Sequence, residues 1–455
     1  MSKKDKNNKE FINTCFDDLF PILRSITGPG IEESIDYFSK FMPLKKEKVK
    51  TGTKVFDWDV PVEWHLKHAY LQGPNGEIIC DTDTSNLHIV NYSEPVDDYF
   101  TLDDLQPHLH SLENLPDAIP YVTSYYKRTW GFCLPHKIRE KLKEGKYRVK
   151  IESEFKSDGG VLFAHCVLEG ESKREILLTS YLCHPSLANN ELSGPLVLLQ
   201  LYNKIKEWED RHFTYRFLLN PETIGSLCFL SKYHKHLKDN LEAGLVLTCL
   251  GGPEKQLRYK ASRTDQCLFN DVVYTLSKED NRWKYDKFSP IGGSDERQYC
   301  SPGFNLPMGQ IARSVYGKYD GYHNSLDDKE FMDIDQIIES ADQIESLLHS
   351  AEQIESLLHL SELSGKPYNQ FPYGEPQLGK RDLYPEHNSR NTQYFSNDAN
   401  KDKSWLIDTI LTILSMSDGE NNVTKIAKEL GIKLTEVIPV IKLLKEKGLI
   451  IFHPK

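Results

Sequence analysis

The stretch Ile176-Leu177-Leu178-Thr179-Ser180-Tyr181-Leu182 runs directly into Cys183-His184-Pro185-Ser186. A short apolar run bounded by turn residues reads as a buried strand. Pro185 favours an extended backbone at His184, just past the strand. The arrangement recurs. Thr214-Tyr215-Arg216-Phe217-Leu218-Leu219-Asn220 leads into Pro221-Glu222-Thr223-Ile224-Gly225, and further on come Gly292-Gly293-Ser294-Asp295 and Gly321-Tyr322-His323. In an open α/β sheet the carboxyl ends of the strands face one crevice. Residues distant in sequence meet there. Two His and several carboxylates brought together in this way make a metal-dependent hydrolytic site.

Each cluster has its own chemistry. After His184 comes Ala188-Asn189-Asn190-Glu191-Leu192-Ser193-Gly194 and then an apolar helix. Asn190 and Glu191 offer oxygens beside the imidazole, and Ser193 or an Asn is suited to cap the helix. Glu222 ends an otherwise apolar strand, where a carboxylate is costly unless paired or solvated by a crevice. Beside a metal it reads as the general base. Asp295 lies in a glycine-rich loop that lets backbone approach something closely. His323 is a loop histidine. An isolated His, Glu or Asp in such places is ordinarily structural, and the order of these four along an alternating strand–helix region is what gives them weight.

Around this core the pattern predicts two helices within residues 9–42, broken at Thr27-Gly28-Pro29-Gly30. Residues 50–115 alternate short apolar stretches with Gly, Pro and Asn and read as a small β-rich insertion. From 147 to 330 strands and helices alternate, which predicts an α/β sheet covered on both faces. Tyr147–Phe155 and Gly159–Gly170 read as a hairpin, and Asp271–Glu279 as a helix of the same domain. Residues 331–363 read as one exposed helix lengthened by a duplication, ADQIESLLHS followed by AEQIESLLHL. His349 and His359 within it are expected to be solvated. Residues 364–400 are rich in Pro, Asn and Gly and read as a linker, pinned by Tyr368, Phe371, Tyr373 and Tyr384. Residues 401–455 have the rhythm of a winged helix-turn-helix, with Gly431 at the turn. The division expected is therefore 1–49 with 116–363, 50–115, 364–400 and 401–455.

Composition limits the alternatives. The chain has 455 residues and a net charge of −11, which argues against a general binder of nucleic acid or anionic membranes. It has no run of 18 apolar residues and no apolar segment behind its lysine-rich start, so neither a membrane span nor a signal peptide is expected. Nine cysteines without CxxC pairs fit a reducing, cytoplasmic setting. Residues 401–455 hold nine Lys, seven acids and no Arg. That is a thin footprint for phosphate contacts, so the winged helix is expected to serve a protein–protein or intramolecular role rather than to bind DNA.

The series CHPSLANNELSG, NPETIG, GGSDERQ and GYHNS resembles the zinc-aminopeptidase superfamily, which also contains glutaminyl cyclase. VFDWDVPVEW, SNLHIVNYSEPV, YVTSYYKRTWGFCLP and GEPQLGKRDLYP extend the resemblance over nearly the whole chain. They are similar to a bacterial group of aminopeptidase-like proteins with an inserted β domain and a C-terminal winged helix, a group associated with surface-polysaccharide biosynthesis loci. The resemblance implies an α/β fold with a three-layer mixed sheet of zinc-peptidase type.

It also implies roles. His184 and His323 match the metal-binding histidines, and Glu222 matches the general base. Three positions depart from the pattern: Asn190 stands for a bridging Asp, Thr223 for a second Glu, and Thr248 or Cys249 for a further Asp. Neutral side chains cannot balance two dications. One zinc ion is therefore expected rather than two, held by His184, His323 and Glu191 or Asn190, with Asp295 as a further ligand or a grip for a substrate amine. Arg297, Tyr299 and Tyr322 are expected to orient the substrate or stabilise an oxyanion. The expected activity is hydrolysis of an amide in a peptide-like or N-acylated sugar substrate, with a homo-oligomer as a further expectation. The alternatives are a degenerate relative that binds carbohydrate or peptide, an acyl-transfer or cyclising enzyme with one zinc, and a DNA-binding regulator.

Overall fold

Glu175–Tyr181 and Thr214–Asn220 are buried at every position, as apolar strands sandwiched between helices must be. They lie side by side and parallel in the middle of an eight-stranded mixed sheet. The computed structural model describes residues 3–360, 363–381, 383 and 403–453. They fall into two compact units, one built from residues 1–264 and 280–347, the other from 265–279 and 348–455.

In the first unit the sheet order is 45–50, 160–168, 214–220, 175–181, 241–247, 308–312, 257–260 and 283–286. The four strands from 214–220 to 308–312 are mutually parallel, so their carboxyl ends open on one side. Strand 175–181 is followed in sequence by a neighbour on one side and then by a neighbour on the other. It is the switch point of the sheet, where a crevice forms. Ser193–Ile205 is buried along almost its whole length, and Ile224–Asn240 buries its first two turns.

The inserted region forms a four-stranded antiparallel sheet, ordered 78–81, 63–72, 146–156 and 96–101. Its core includes Leu71, Phe132, Tyr147 and Val149. The predicted hairpin does not form. Lys146–Lys156 pairs with Glu63–Gln72 in the inserted sheet, whereas Gly160–Leu168 pairs with Lys45–Lys50 and Thr214–Asn220 in the large sheet. Both strands satisfy their backbone groups, but with different partners. Glu63 ties the two regions through a hydrogen bond accepted from the Gly160 N–H at 2.9 Å.

The first helix, Lys3–Leu19, ends well before the expected break at Thr27, because Pro21 has no N–H to continue the ladder. The loop that follows carries Arg24 into the interior. The helix 334–360 is not simply an exposed extension, since Ile344, Leu347, Leu348 and Ala351 of the repeated block are buried. His349 is exposed as expected; the side chain of His359 lies outside the described residues.

In the second unit Lys403–Met416, Val423–Leu430 and Leu434–Glu446 enclose a core that includes Ile413, Ile426 and Ile441. Asn422 caps the second of these helices by accepting from the Lys425 N–H. Gly431 has φ 66°, the left-handed cap on which the tight turn depends. Two expectations change. Lys366–Asn369, expected in a linker, pairs with Ile450–His453. Leu268–Glu279, expected in the α/β domain, belongs here, and its Asp271 accepts from Lys428 at 3.0 Å. Of the four expected linker anchors, Tyr368 lies in that pairing strand, Phe371 and Tyr373 are exposed, and Tyr384 lies outside the described residues. Among the described residues no helix is long and apolar enough to cross a membrane.

Candidate active site

His184 leaves the end of strand 175–181 and is buried. Its Nδ1 lies 2.7 Å from Glu191 Oε2, and its Nε2 lies 3.8 Å from Glu222 Oε2. The His323 ring comes to 5.3 Å, centroid to centroid. Tyr121 packs against both imidazoles, at 5.1 and 5.4 Å, and its backbone N–H donates to the His323 carbonyl. The two histidines thus meet in one crevice although 139 positions separate them.

The crevice is lined by unusual backbone. Ser186, Thr223, Cys249 and His323 all have φ between 47° and 62°, a region that costs most side chains ~1–3 kcal/mol. Thr223 is the sharpest case. With φ 62° and ψ −74° it sits at the centre of a γ-turn closed by the Ile224 N–H on the Glu222 carbonyl at 2.7 Å. This turn swings Glu222 away from the helix that follows. Asp295 holds the turn by accepting from the Thr223 N–H at 2.7 Å and from Asn220 Nδ2 at 3.0 Å. Ser294 Oγ donates to Glu222 Oε1 at 2.6 Å.

A second brace joins the loops of the two histidines. Asp327 accepts from the backbone N–H groups of Asn189 at 2.7 Å and Asn190 at 2.9 Å. It caps the π-turn Ala188–Leu192 that opens the helix from Ser193. The cap therefore comes from a distant carboxylate. Ser193 Oγ instead donates to the Asn189 carbonyl.

Electrostatics separates the groups. Burial alone would lower the His184 pKa, but Cys183, Tyr121 and Glu191 reverse this and hold it well above the ordinary histidine value. Burial and the neighbouring His184 push His323 down to about 3, so its ring is neutral. Burial, reinforced by Glu222, raises Asp295 to about 7. Burial raises Tyr322 to about 12, which keeps its phenol a hydrogen-bond donor.

The expected site residues therefore divide. His184, His323 and Glu222 converge. Tyr322 stacks on the His323 ring at 4.0 Å and Arg297 is exposed beside the Ser294 turn, donating to the Ser294 carbonyl. Asn190 Nδ2 donates to Tyr181 Oη at 2.9 Å, and its Oδ1 is buried with no hydrogen-bond partner. Glu191 stands against Nδ1 of His184, and Asp295 braces the Glu222 turn rather than facing the imidazoles. Tyr299 is fully buried within the hydrophobic core and cannot reach a substrate. In the short helix 296–299, two residues turn ~200°, which sends Tyr299 inward while Arg297 faces out. Arg24, Tyr121 and Asp327 have no role assigned from sequence, and Ser294 enters there only as a member of the Gly292-Gly293-Ser294-Asp295 cluster.

The donor set fits a metal ion. A neutral His323, the Nε2 edge of His184 and the orphaned Asn190 oxygen could supply ligands, with the Glu222 carboxylate beside His184. Thr223 and Thr248 supply none, and Thr248 Oγ1 is engaged with Tyr181 Oη at 2.5 Å. Among the described residues, Cys183, His184 and Glu191 bring possible ligand atoms within 4.8 Å of one another, as do His68, Asp81 and Asp83, but the contacts to His184 Nδ1 are hydrogen bonds.

Residues 13–354 match the family described as Domain of unknown function (DUF4910), and residues 366–451 match a winged helix-turn-helix family. A Clostridium acetobutylicum protein, provisionally named for polysaccharide biosynthesis with an aminopeptidase-like domain, is 38% identical over 94% of this chain and 92% of its own. The crystal structure of a C. acetobutylicum protein provisionally named a peptidase covers 99% of both chains at 35% identity, with a TM-score of 0.74. A Bacillus subtilis zinc aminopeptidase shares the fold, with a TM-score of 0.55 and 12% identity over 76% of this chain and 94% of its own. The α/β unit thus has the zinc-aminopeptidase fold, and the chain belongs to the DUF4910 family, here joined to a winged helix-turn-helix domain.

Proposed function

We propose that this protein is a single-metal amide hydrolase acting on a small peptide-like or N-acylated sugar substrate of surface-polysaccharide biosynthesis. The observation that carries the reading is Glu222 Oε2 at 3.8 Å from His184 Nε2, in a crevice shared with the His323 ring. The name of the clostridial relative supports the biosynthetic setting.

His184, His323 and the Asn190 amide oxygen would hold the ion. Zinc bound there supplies Lewis acidity and lowers the pKa of water to ~7. Glu222 then takes the proton of the attacking water and returns it to the departing amine nitrogen, a role worth roughly 10²–10⁴-fold. Ser294 fixes the carboxylate through Oε1 and leaves Oε2 toward the crevice. Tyr322, a phenol that stays protonated, donates to the developing oxyanion. Arg297 meets an anionic part of the substrate.

The test is an assay of zinc-saturated protein against aminoacyl p-nitroanilides and N-acetylated amino sugars. Glu222→Gln abolishes turnover and leaves the zinc content unchanged; wild-type turnover in this variant removes Glu222 from the chemistry. The neutral Asn190, Thr223 and Thr248 favour a second reading, a binding protein without turnover. It predicts saturable ligand binding, identical in the wild type and in Glu222→Gln.

A further inference from the structure

Arg24 is fully buried, an uncommon state for a guanidinium. Its Nη1 donates to the Leu19 carbonyl at 2.7 Å, at the carboxyl end of the first helix, where the helix dipole favours a cation. Its Nε donates to the His184 carbonyl at 3.0 Å and lies 3.5 Å from Glu191 Oε1. Glu191 is also fully buried, and its other oxygen is the partner of His184 Nδ1 at 2.7 Å. A buried pair of charges is expensive to maintain, and here both members touch the same histidine. Arg24 grips its backbone, and Glu191 grips its ring.

We propose that Arg24 and Glu191 are positioning residues for His184, and that Glu191 is not a metal ligand. The Nδ1–H donates to Glu191, which fixes the ring and its tautomer and leaves Nε2 as the edge turned to Glu222. The guanidinium stands as the countercharge beside Glu191. A carboxylate behind a metal-binding imidazole is worth ~10–100-fold in metal affinity. The inference rests on the metal-site reading, but its geometry exists without the ion and can be tested without it.

The test uses the full-length chain and two readouts. Zinc titration is expected to show Glu191→Ala weakening affinity about 10–100-fold while still binding one ion per chain at saturation. Glu191→Gln, which keeps an acceptor oxygen, recovers most of the loss. Because Arg24→Met alone leaves an unpaired buried carboxylate, the folding control is Arg24→Met combined with Glu191→Gln, expected to bind zinc more tightly than Glu191→Ala. Nitrogen-15 spectra of the metal-free protein, with His184 assigned by its loss in His184→Gln, should show a protected Nδ1–H that survives in Glu191→Gln and vanishes in Glu191→Ala. Loss of all zinc binding in Glu191→Ala would make Glu191 a ligand and overturn the inference, as would unchanged affinity or an unchanged Nδ1–H signal. If the wild type binds no zinc, the function proposed above fails, and the nitrogen-15 spectra alone decide this one.

Discussion

The carboxylate of Asp327 accepts from the backbone N–H of Asn190 at 2.9 Å, tying the loop that carries His323 to the loop that carries His184. The backbone adds a third bond between the same loops, from the Ala188 N–H to the Asp327 carbonyl at 2.9 Å. Hydrogen bonds to a charged group contribute ~1.5–3 kcal/mol each, and an orphaned buried N–H costs ~1–3 kcal/mol. Asp327→Ala removes the acceptor for both Asn189 and Asn190, so it is expected to lower stability by about 3 kcal/mol. Urea unfolding of wild type and variant, with equal slopes, measures the difference. A change below about 0.5 kcal/mol, the size typical of an inert surface site, would show that the brace is not needed.

The γ-turn at Thr223 stores strain in the fold. Glycine adopts φ 62° without its Cβ penalty. Thr223→Gly is therefore expected to stabilise the protein by about 1 kcal/mol, after the entropy of a glycine is counted. It should also loosen Glu222 and reduce turnover. Thermal denaturation alongside the hydrolysis assay checks both signs. A destabilised Thr223→Gly would mean that the threonine side chain matters more than its backbone.

Glu175 and Arg216 form a two-pronged buried ion pair at 2.7 and 2.9 Å across adjacent central strands. Removing Arg216 leaves the buried Glu175, among the described residues, with only His236 Nε2, at 2.9 Å, against its carboxylate, and breaking a buried pair costs ~3–5 kcal/mol. Arg216→Ala should fall in that range by chemical denaturation. Arg216→Met with Glu175→Leu should recover most of it, because an apolar pair replaces the charges without leaving one behind.

Glu63 gives a pH-dependent prediction. Burial works to raise its pKa, but hydrogen bonds from His65 and the Gly160 N–H, together with Lys48, overcome it and hold the carboxyl below the usual range. A depressed folded pKa stabilises the fold above the unfolded value of ~4.3 and loses that stabilisation as pH falls through the folded value. Wild type should therefore exceed Glu63→Gln in stability at pH 7, and the gap should close below about pH 4. A gap that widens on acidification would contradict the assignment.

Much of the fold was legible because its signals are local. Ile176–Leu182 and Thr214–Asn220 each declare a buried strand by composition alone, and their polar ends fall at the carboxyl edge of a parallel sheet. His184, Glu222 and His323 could be placed in one crevice on that basis. What sequence could not supply was partner choice. Lys146–Lys156 has good strand chemistry for either sheet, and only the assembled fold pairs it with Glu63–Gln72. Asp327 caps a turn nearly 140 positions earlier. Arg24 reaches Glu191 from a loop that the pattern of the first helix concealed. Tyr299 lies two residues from the exposed Arg297, yet about half a helical turn puts it in the core.

The most direct test of the account is anomalous diffraction at the zinc edge from zinc-soaked crystals of the full chain. One site per chain is expected, with the imidazoles of His184 and His323 both as ligands. Two sites, no site, or a single ion bound by Cys183 and Glu191 would contradict it.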